Sequence, residues 1–107
     1  MLDNKKNAEE WYDNGITFCE RGKYGQGFKC FDKALEINSN FKKIWYIEGS
    51  IFGKLGKYKE AIEYFDKILK IDPDNQKTLY SKGWSFFELG KGEEAYKCFD
   101  QVKDVKI

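Results

Sequence analysis

Leu55-Gly56-Lys57-Tyr58-Lys59-Glu60-Ala61-Ile62-Glu63-Tyr64-Phe65-Asp66 reads as the turn and the first half of the second arm of a helical hairpin. Ahead of it, Ile44-Trp45-Tyr46-Ile47-Glu48-Gly49-Ser50-Ile51-Phe52 carries apolar side chains at helical spacing, and Gly56 accepts the left-handed backbone that closes a helix C-terminus. Behind it, a second amphipathic pattern with Ala61, Phe65, Ile68, Leu69 and Ile71 stops at Asp72-Pro73, because the residue before a proline is pushed out of helical conformation. Sliding this unit, residues 42 to 75, by its own length brings Gly15, Gly49 and Gly83 into register, and Phe18, Phe52 and Phe86 with them. The chain is one unit written three times, over residues 8–41, 42–75 and 76–107, after a short lead-in of residues 1–7.

The first unit opens at Asn7, an N-cap residue followed by Glu9 and Glu10, which suit the positive end of a helix dipole. Trp11, Gly15 and Phe18, with Tyr12, Ile16 and Cys19 beside them, form the stripes of a helix that ends at Gly22. The second helix carries Phe28, Phe31, Ala34, Leu35 and Ile37 on one face. Its start is weak, since Gly25 and Gly27 each cost roughly 1 kcal/mol relative to alanine inside a helix. Gly27 reads as close helix packing. The third unit supplies Leu79, Gly83, Phe86, Leu89 and Gly90, then Ala95, Phe99, Val102 and Val105.

A helix pair of this length cannot cover its own apolar face, so it must lie against a copy of itself. Gly15, Gly49 and Gly83 remove a side chain midway along each first helix, Ala61 and Ala95 do so from the other side, and Trp11, Trp45, Phe31, Phe65 and Phe99 fill the space. The pattern predicts an all-α protein forming a single domain, residues 1–107.

Composition narrows the function. Nineteen basic and 18 acidic residues are interleaved with a net charge of +1, and Arg21 is the only arginine, so no field or bidentate donor set favours nucleic acid or an anionic membrane. No apolar run approaches the ~20 residues that span a bilayer, and no signal peptide opens the chain. Cys19, Cys30 and Cys98 have no C-x-x-C spacing and no histidine to complete a metal set, so they read as reduced, packed thiols of a cytoplasmic protein, with no metal or cofactor. Without histidine or a G-x-x-x-x-G-K phosphate loop, nothing assembles a nucleophile, base and orienter, and an enzyme is not expected.

Seven positions are identical in all three units: Tyr12/46/80, Gly15/49/83, Phe18/52/86, Gly22/56/90, Lys23/57/91, Phe31/65/99 and Asp32/66/100. With the 34-residue period and Trp45, Gly49, Phe52, Ala61, Phe65 and Pro73 in the middle unit, the chain resembles three tetratricopeptide repeats from Ala8 to Ile107. Leu79 replaces a tryptophan, Gly27 a small alanine, and Asn14, Glu48 and Lys82 a usual leucine.

The resemblance implies a right-handed superhelical α-solenoid of three antiparallel helix pairs, six helices in all, acting as a scaffold or adaptor. Its first helices would line a concave groove for a protein or peptide. That lining would be Glu9, Tyr12 and Ile16, then Lys43, Tyr46, Ser50 and Lys54, then Lys77, Tyr80, Trp84 and Phe87. Tyrosine suits such a wall because its ring supplies contact area at low entropic cost. Relatives that grip carboxylate-ended chaperone tails use lysine, asparagine and arginine at places held here by Tyr12, Ile16, Ile47, Lys77 and Ser81; only Lys77 fits, which argues against such a clamp. The Asp32/66/100 row reads as solvated surface. The alternative to groove binding is self-association, as a homodimer or by repeat exchange, through Tyr96, Phe99 and Val102 on the last helix pair, where Lys103 replaces Leu35 and Leu69.

Overall fold

The computed structural model of the chain describes residues 6–103; most of the N-terminal lead-in, and Val105 with the last residues of the third unit, lie outside the described residues. Six α-helices follow one another without a strand among the described residues: α1 (Ala8–Glu20), α2 (Tyr24–Ile37), α3 (Lys42–Lys54), α4 (Tyr58–Ile71), α5 (Gln76–Glu88) and α6 (Gly92–Asp100). They make an all-α helical-repeat fold, grouped into two compact units, Met1–Ile44 and Trp45–Ile107, with the division falling inside α3.

Local chemistry sets the ends. The Asn7 carboxamide oxygen accepts the Glu10 amide at 2.8 Å, and the Glu10 carboxylate accepts the Asn7 amide at 2.9 Å, so each satisfies a donor that the first helical turn leaves free. Each hairpin turn is then built the same way. Gly22, Gly56 and Gly90 hold φ of 77°, 78° and 78°. The lysine after each one donates its amide back to the phenylalanine carbonyl five residues earlier, Lys23 to Phe18 at 2.9 Å, Lys57 to Phe52 at 2.8 Å and Lys91 to Phe86 at 2.9 Å. The same lysine's carbonyl accepts from Gly27, Ala61 or Ala95 at 3.0 Å. One Gly-Lys pair closes a helix and opens the next, which is why both residues recur in every unit.

Close approach defines the packing inside each pair. A methyl group at Gly49 would come within 2.6 Å of the Phe65 ring, and one at Gly83 within 2.5 Å of the Phe99 ring; at Gly15 the obstacle is Phe31. Gly27 packs as its residue type suggested: a methyl there would meet the Cys19 sulfur and lie 2.9 Å from the Gly15 carbonyl oxygen. The sulfur of Cys19 fills the space that an alanine methyl would otherwise take.

Three apolar residues sit differently from the sequence pattern. Ile37 and Ile71 are the last residues of α2 and α4, where the helix no longer faces a neighbour, and Leu55 follows α3 at the turn; all three are exposed. The last helix also stops early, at Asp100. Its end is tied by the Gln101 carboxamide, which donates to the Lys97 carbonyl at 3.2 Å, and by the Lys103 amide, which donates to the Gln76 side-chain oxygen at 2.5 Å.

Gly49→Ala is expected to destabilise the protein by about 1–3 kcal/mol through overpacking against Phe65, read as a lower urea midpoint at unchanged slope. Gly27→Ala should behave likewise, and Cys19→Ala should return part of the loss, since the Gly15 carbonyl remains in the way.

Candidate functional site

In the first unit, Tyr12 of α1 stacks on Phe41 with ring centroids 5.2 Å apart and tilts against Phe31 at 6.0 Å. Burial raises the Tyr12 hydroxyl's pKa above its ordinary value, and the nearby Lys43 ammonium opposes that shift. Lys43 lies 5.9 Å over the Tyr12 ring and 3.6 Å from the Glu9 carboxylate. Glu9, Tyr12 and Lys43 therefore form one contact group, with Ile16 half-buried one turn along α1.

In the second unit, Tyr46, Ser50 and Lys54 of α3 and Tyr80 and Trp84 of α5 line one concave pocket of about 440 Å³. Gly49, Gly53, Tyr58, Phe65, Ser81, Ser85 and Glu88 complete it. Glycines at 49 and 53 leave the floor open, and Lys54 and Glu88 put one charge of each sign on the wall. Tyr46 is held firmly: its ring tilts on Phe65 at 5.7 Å, its hydroxyl is 2.8 Å from the Ser81 hydroxyl, and the Lys77 ammonium lies 4.2 Å over its face. Tyr58 and Ser85 escaped the sequence reading of the groove, since their approach to the α3 wall depends on how the helices meet, while Ser81 was read only as a place unsuited to an acidic tail. Trp84 and Phe87 are 42% and 54% exposed and meet edge to face at 5.2 Å.

A second concavity of about 330 Å³ opens beside the first. Tyr96, Phe99, Asp100 and Val102 line it, together with the same Tyr80 and Trp84 that line the larger pocket. The residues expected in the groove and those expected at the last helix pair thus share one aromatic surface. Trp84 contacts Phe99 at 5.4 Å and 63°, and Tyr80 contacts it at 5.8 Å and 51°.

Two of the three polar residues at usual leucine positions have a partner or are buried. Lys82 reaches the Asp66 carboxylate at 2.6 Å, so one member of the aspartate row joins α4 to α5; Glu48 is buried. Burial raises the Cys98 thiol's pKa, with Lys82 lowering and Asp66 raising it in lesser degree. No disulfide links the cysteines, and no cluster of histidine, cysteine, aspartate or glutamate suited to a metal occurs among the described residues. No helix among them is long and apolar enough to cross a membrane. Thr78, at the position of the fully buried Ile44, is itself buried with its hydroxyl unbonded, although its amide caps α5 by donating to Asn75 at 3.0 Å.

Three helical hairpins that share a glycine-phenylalanine seam define a helical-repeat protein. Residues 43–75 match the tetratricopeptide repeat family, and the fold of the chain is that of tetratricopeptide repeat structures. No curated protein sequence matches the chain at a significant level. Several solved structures share its fold. A structure of MamA superposes with a TM-score of 0.81 at 23% identity, over 90% of this chain and 52% of that one, so the chain spans about half its length. The second repeat domain of Spaghetti (RPAP3), bound to the HSP90 peptide SRMEEVD, gives a TM-score of 0.77 at 25% identity over 92% of each chain. The N-terminal domain of stress-induced protein-1 from C. elegans gives 0.81 at 15% identity, over 89% of this chain and 80% of that one. The fold is that of protein-interaction modules.

Thr78→Val keeps the side-chain shape and removes an unbonded buried hydroxyl; it is expected to stabilise the protein by about 1 kcal/mol, measured as a raised denaturation midpoint.

Proposed function

We propose that this protein binds an extended or helical segment of another protein in the concavity between α3 and α5. The observation that carries this reading is the convergence of Tyr46, Ser50, Lys54, Tyr80, Trp84 and Glu88 on one pocket of about 440 Å³. Its walls are aromatic, with a lysine and a glutamate available for opposite charges on the ligand, the mixture that suits a polypeptide with one apolar anchor and polar flanks. The peptide held by the repeat domain of Spaghetti supports the general mode.

An acidic tail of that kind is not the ligand proposed here. Of the places that would grip it, only Lys77 is basic, and its ammonium is already engaged over the Tyr46 ring. Trp84 is the principal anchor, because it is exposed and rests on Phe99 and Phe87, so binding need not first order it. Glu9, Tyr12, Ile16 and Lys43 offer a further contact set in the first unit, and Phe87 extends the surface beyond Trp84.

Trp84→Ala and Lys54→Glu are each expected to reduce capture of the partners that the unaltered protein retains from its source cells, by tenfold or so for an anchor residue of about 1.4 kcal/mol or more. Lys54→Glu should leave the melting profile near that of the parent, as the side chain is exposed, whereas Trp84→Ala also gives up ring contacts with Phe87 and Phe99 and its capture is compared at a temperature where the variant remains folded. Unchanged capture by both variants removes the pocket as the binding site.

A further inference from the structure

Along α3, Tyr46, Gly49, Ser50, Gly53 and Lys54 share one helical face, and the two glycines leave it low enough to be a floor. A methyl at Gly49 would strike Phe65, but one at Gly53 would meet nothing within 4 Å, so the space over Gly53 is open. Two hydroxyl protons around this floor are already committed. Ser50 donates to the Tyr46 carbonyl at 2.8 Å, and Ser85, which is buried, donates to the Ser81 carbonyl at 3.0 Å. A carbonyl oxygen only accepts, so the direction of both bonds is fixed. Each serine oxygen therefore offers the pocket lone pairs and no proton.

Charge narrows the choice of ligand further. Lys54 and Glu88 stand at equivalent positions, 34 residues apart, on the rim of the pocket. Both are exposed, and neither is in an ion pair among the described residues. Lys77 sets a second ammonium beside the pocket, over the Tyr46 ring. Two ammoniums around one carboxylate do not draw a cationic side chain inward, and a carboxylate that entered past Lys54 would meet lone pairs at the serines. A phenyl or aliphatic side chain would cover both serine oxygens without offering them a donor. An indole has a large aromatic face, one N–H donor and no acceptor, which matches what the pocket presents.

We propose that the segment bound between α3 and α5 is anchored by a tryptophan of the partner protein, whose indole lies over Gly53 and donates its N–H to the Ser50 or Ser85 oxygen. Residues flanking that tryptophan carry an acid toward Lys54 and a base toward Glu88. The inference rests on groove binding as read above and names the side chain that fills the groove. Residues of α3, α4 and α5 line this pocket and none of α6 does, so the selecting groups lie inside the row of helices. Trp84, which also meets Phe99 of α6, supplies a wall and not the selectivity.

The test uses the full chain labelled with ¹⁵N and two acetylated, amidated pentapeptides, Gly-Ser-Trp-Ser-Gly and a twin carrying benzothienylalanine, in which sulfur replaces the indole N–H at nearly the same shape. The tryptophan peptide is expected to shift the Ser50, Gly53 and Ser85 amides and to bind roughly two- to tenfold tighter than its twin, the range for one hydrogen bond net of water. In the double variant Ser50→Ala with Ser85→Ala, both changes toward a better helix former, the two peptides should bind alike. Gly53→Leu fills the open space, again with a better helix former, and should remove the shifts caused by either peptide. Equal binding of the two peptides to the unaltered protein, or a preference that persists in the double serine variant, overturns the tryptophan anchor and leaves groove binding standing. Absence of shifts at the three amides, or shifts that survive Gly53→Leu, also overturns it; unchanged capture by Trp84→Ala and Lys54→Glu is the separate result that removes the groove. If the same amides shift with protein concentration alone, a second copy fills the pocket and the proposal falls.

Discussion

Each helix pair depends on a phenylalanine ring lying where a side chain is missing. Phe31 occupies the space over Gly15, Phe65 over Gly49 and Phe99 over Gly83. The same rings support the tyrosine row, with centroids 6.0 Å from Tyr12, 5.7 Å from Tyr46 and 5.8 Å from Tyr80. Three of the seven recurring rows are thus one contact set: the glycine admits the ring, and the ring fixes the tyrosine. Interiors are packed closely enough that a single added methyl is felt, so these three positions have to agree with one another in every copy.

From this seam follows the character of the candidate surface. A tyrosine backed by the core presents a rigid edge or face outward, and what happens there depends on the neighbour. Tyr46 is engaged by Lys77 and Ser81, and Tyr12 by Lys43. Among the described residues Tyr80 has no such lysine over it, and it joins Trp84, Phe87 and Tyr96 in an exposed aromatic surface. Identical residues in identical local settings therefore have different roles in successive units. Repetition makes the scaffold, and the irregularities along it make the candidate site.

Much of the fold was legible because the signals are local. The Asn7 cap, the left-handed glycines at 22, 56 and 90, and the stop before Pro73 act through bonds that span a few residues. The lysine after each glycine was visible as a recurrence, but its double role in the turn appears only in the hydrogen bonds. Ile37 and Ile71 misled as members of an apolar stripe, since helical periodicity says which face a residue occupies and not where the neighbouring helix ends. Lys82 read as a departure from pattern, whereas it reaches Asp66 across two helices.

Sequence by itself determined the 34-residue register, the six helices and the close glycine-phenylalanine approach, because each rests on backbone preference or on side-chain volume repeated at fixed spacing. Only the tertiary structure decided that Tyr80 and Trp84 line both concavities, that Tyr58, Ser81 and Ser85 join the larger one, and which lysines are engaged with a ring or a carboxylate. Those properties are relations between side chains far apart in the chain, such as Lys82 and Asp66, 16 positions apart, and Tyr46 and Ser81, 35 positions apart. They depend on interhelical distances and rotamers that no spacing pattern encodes.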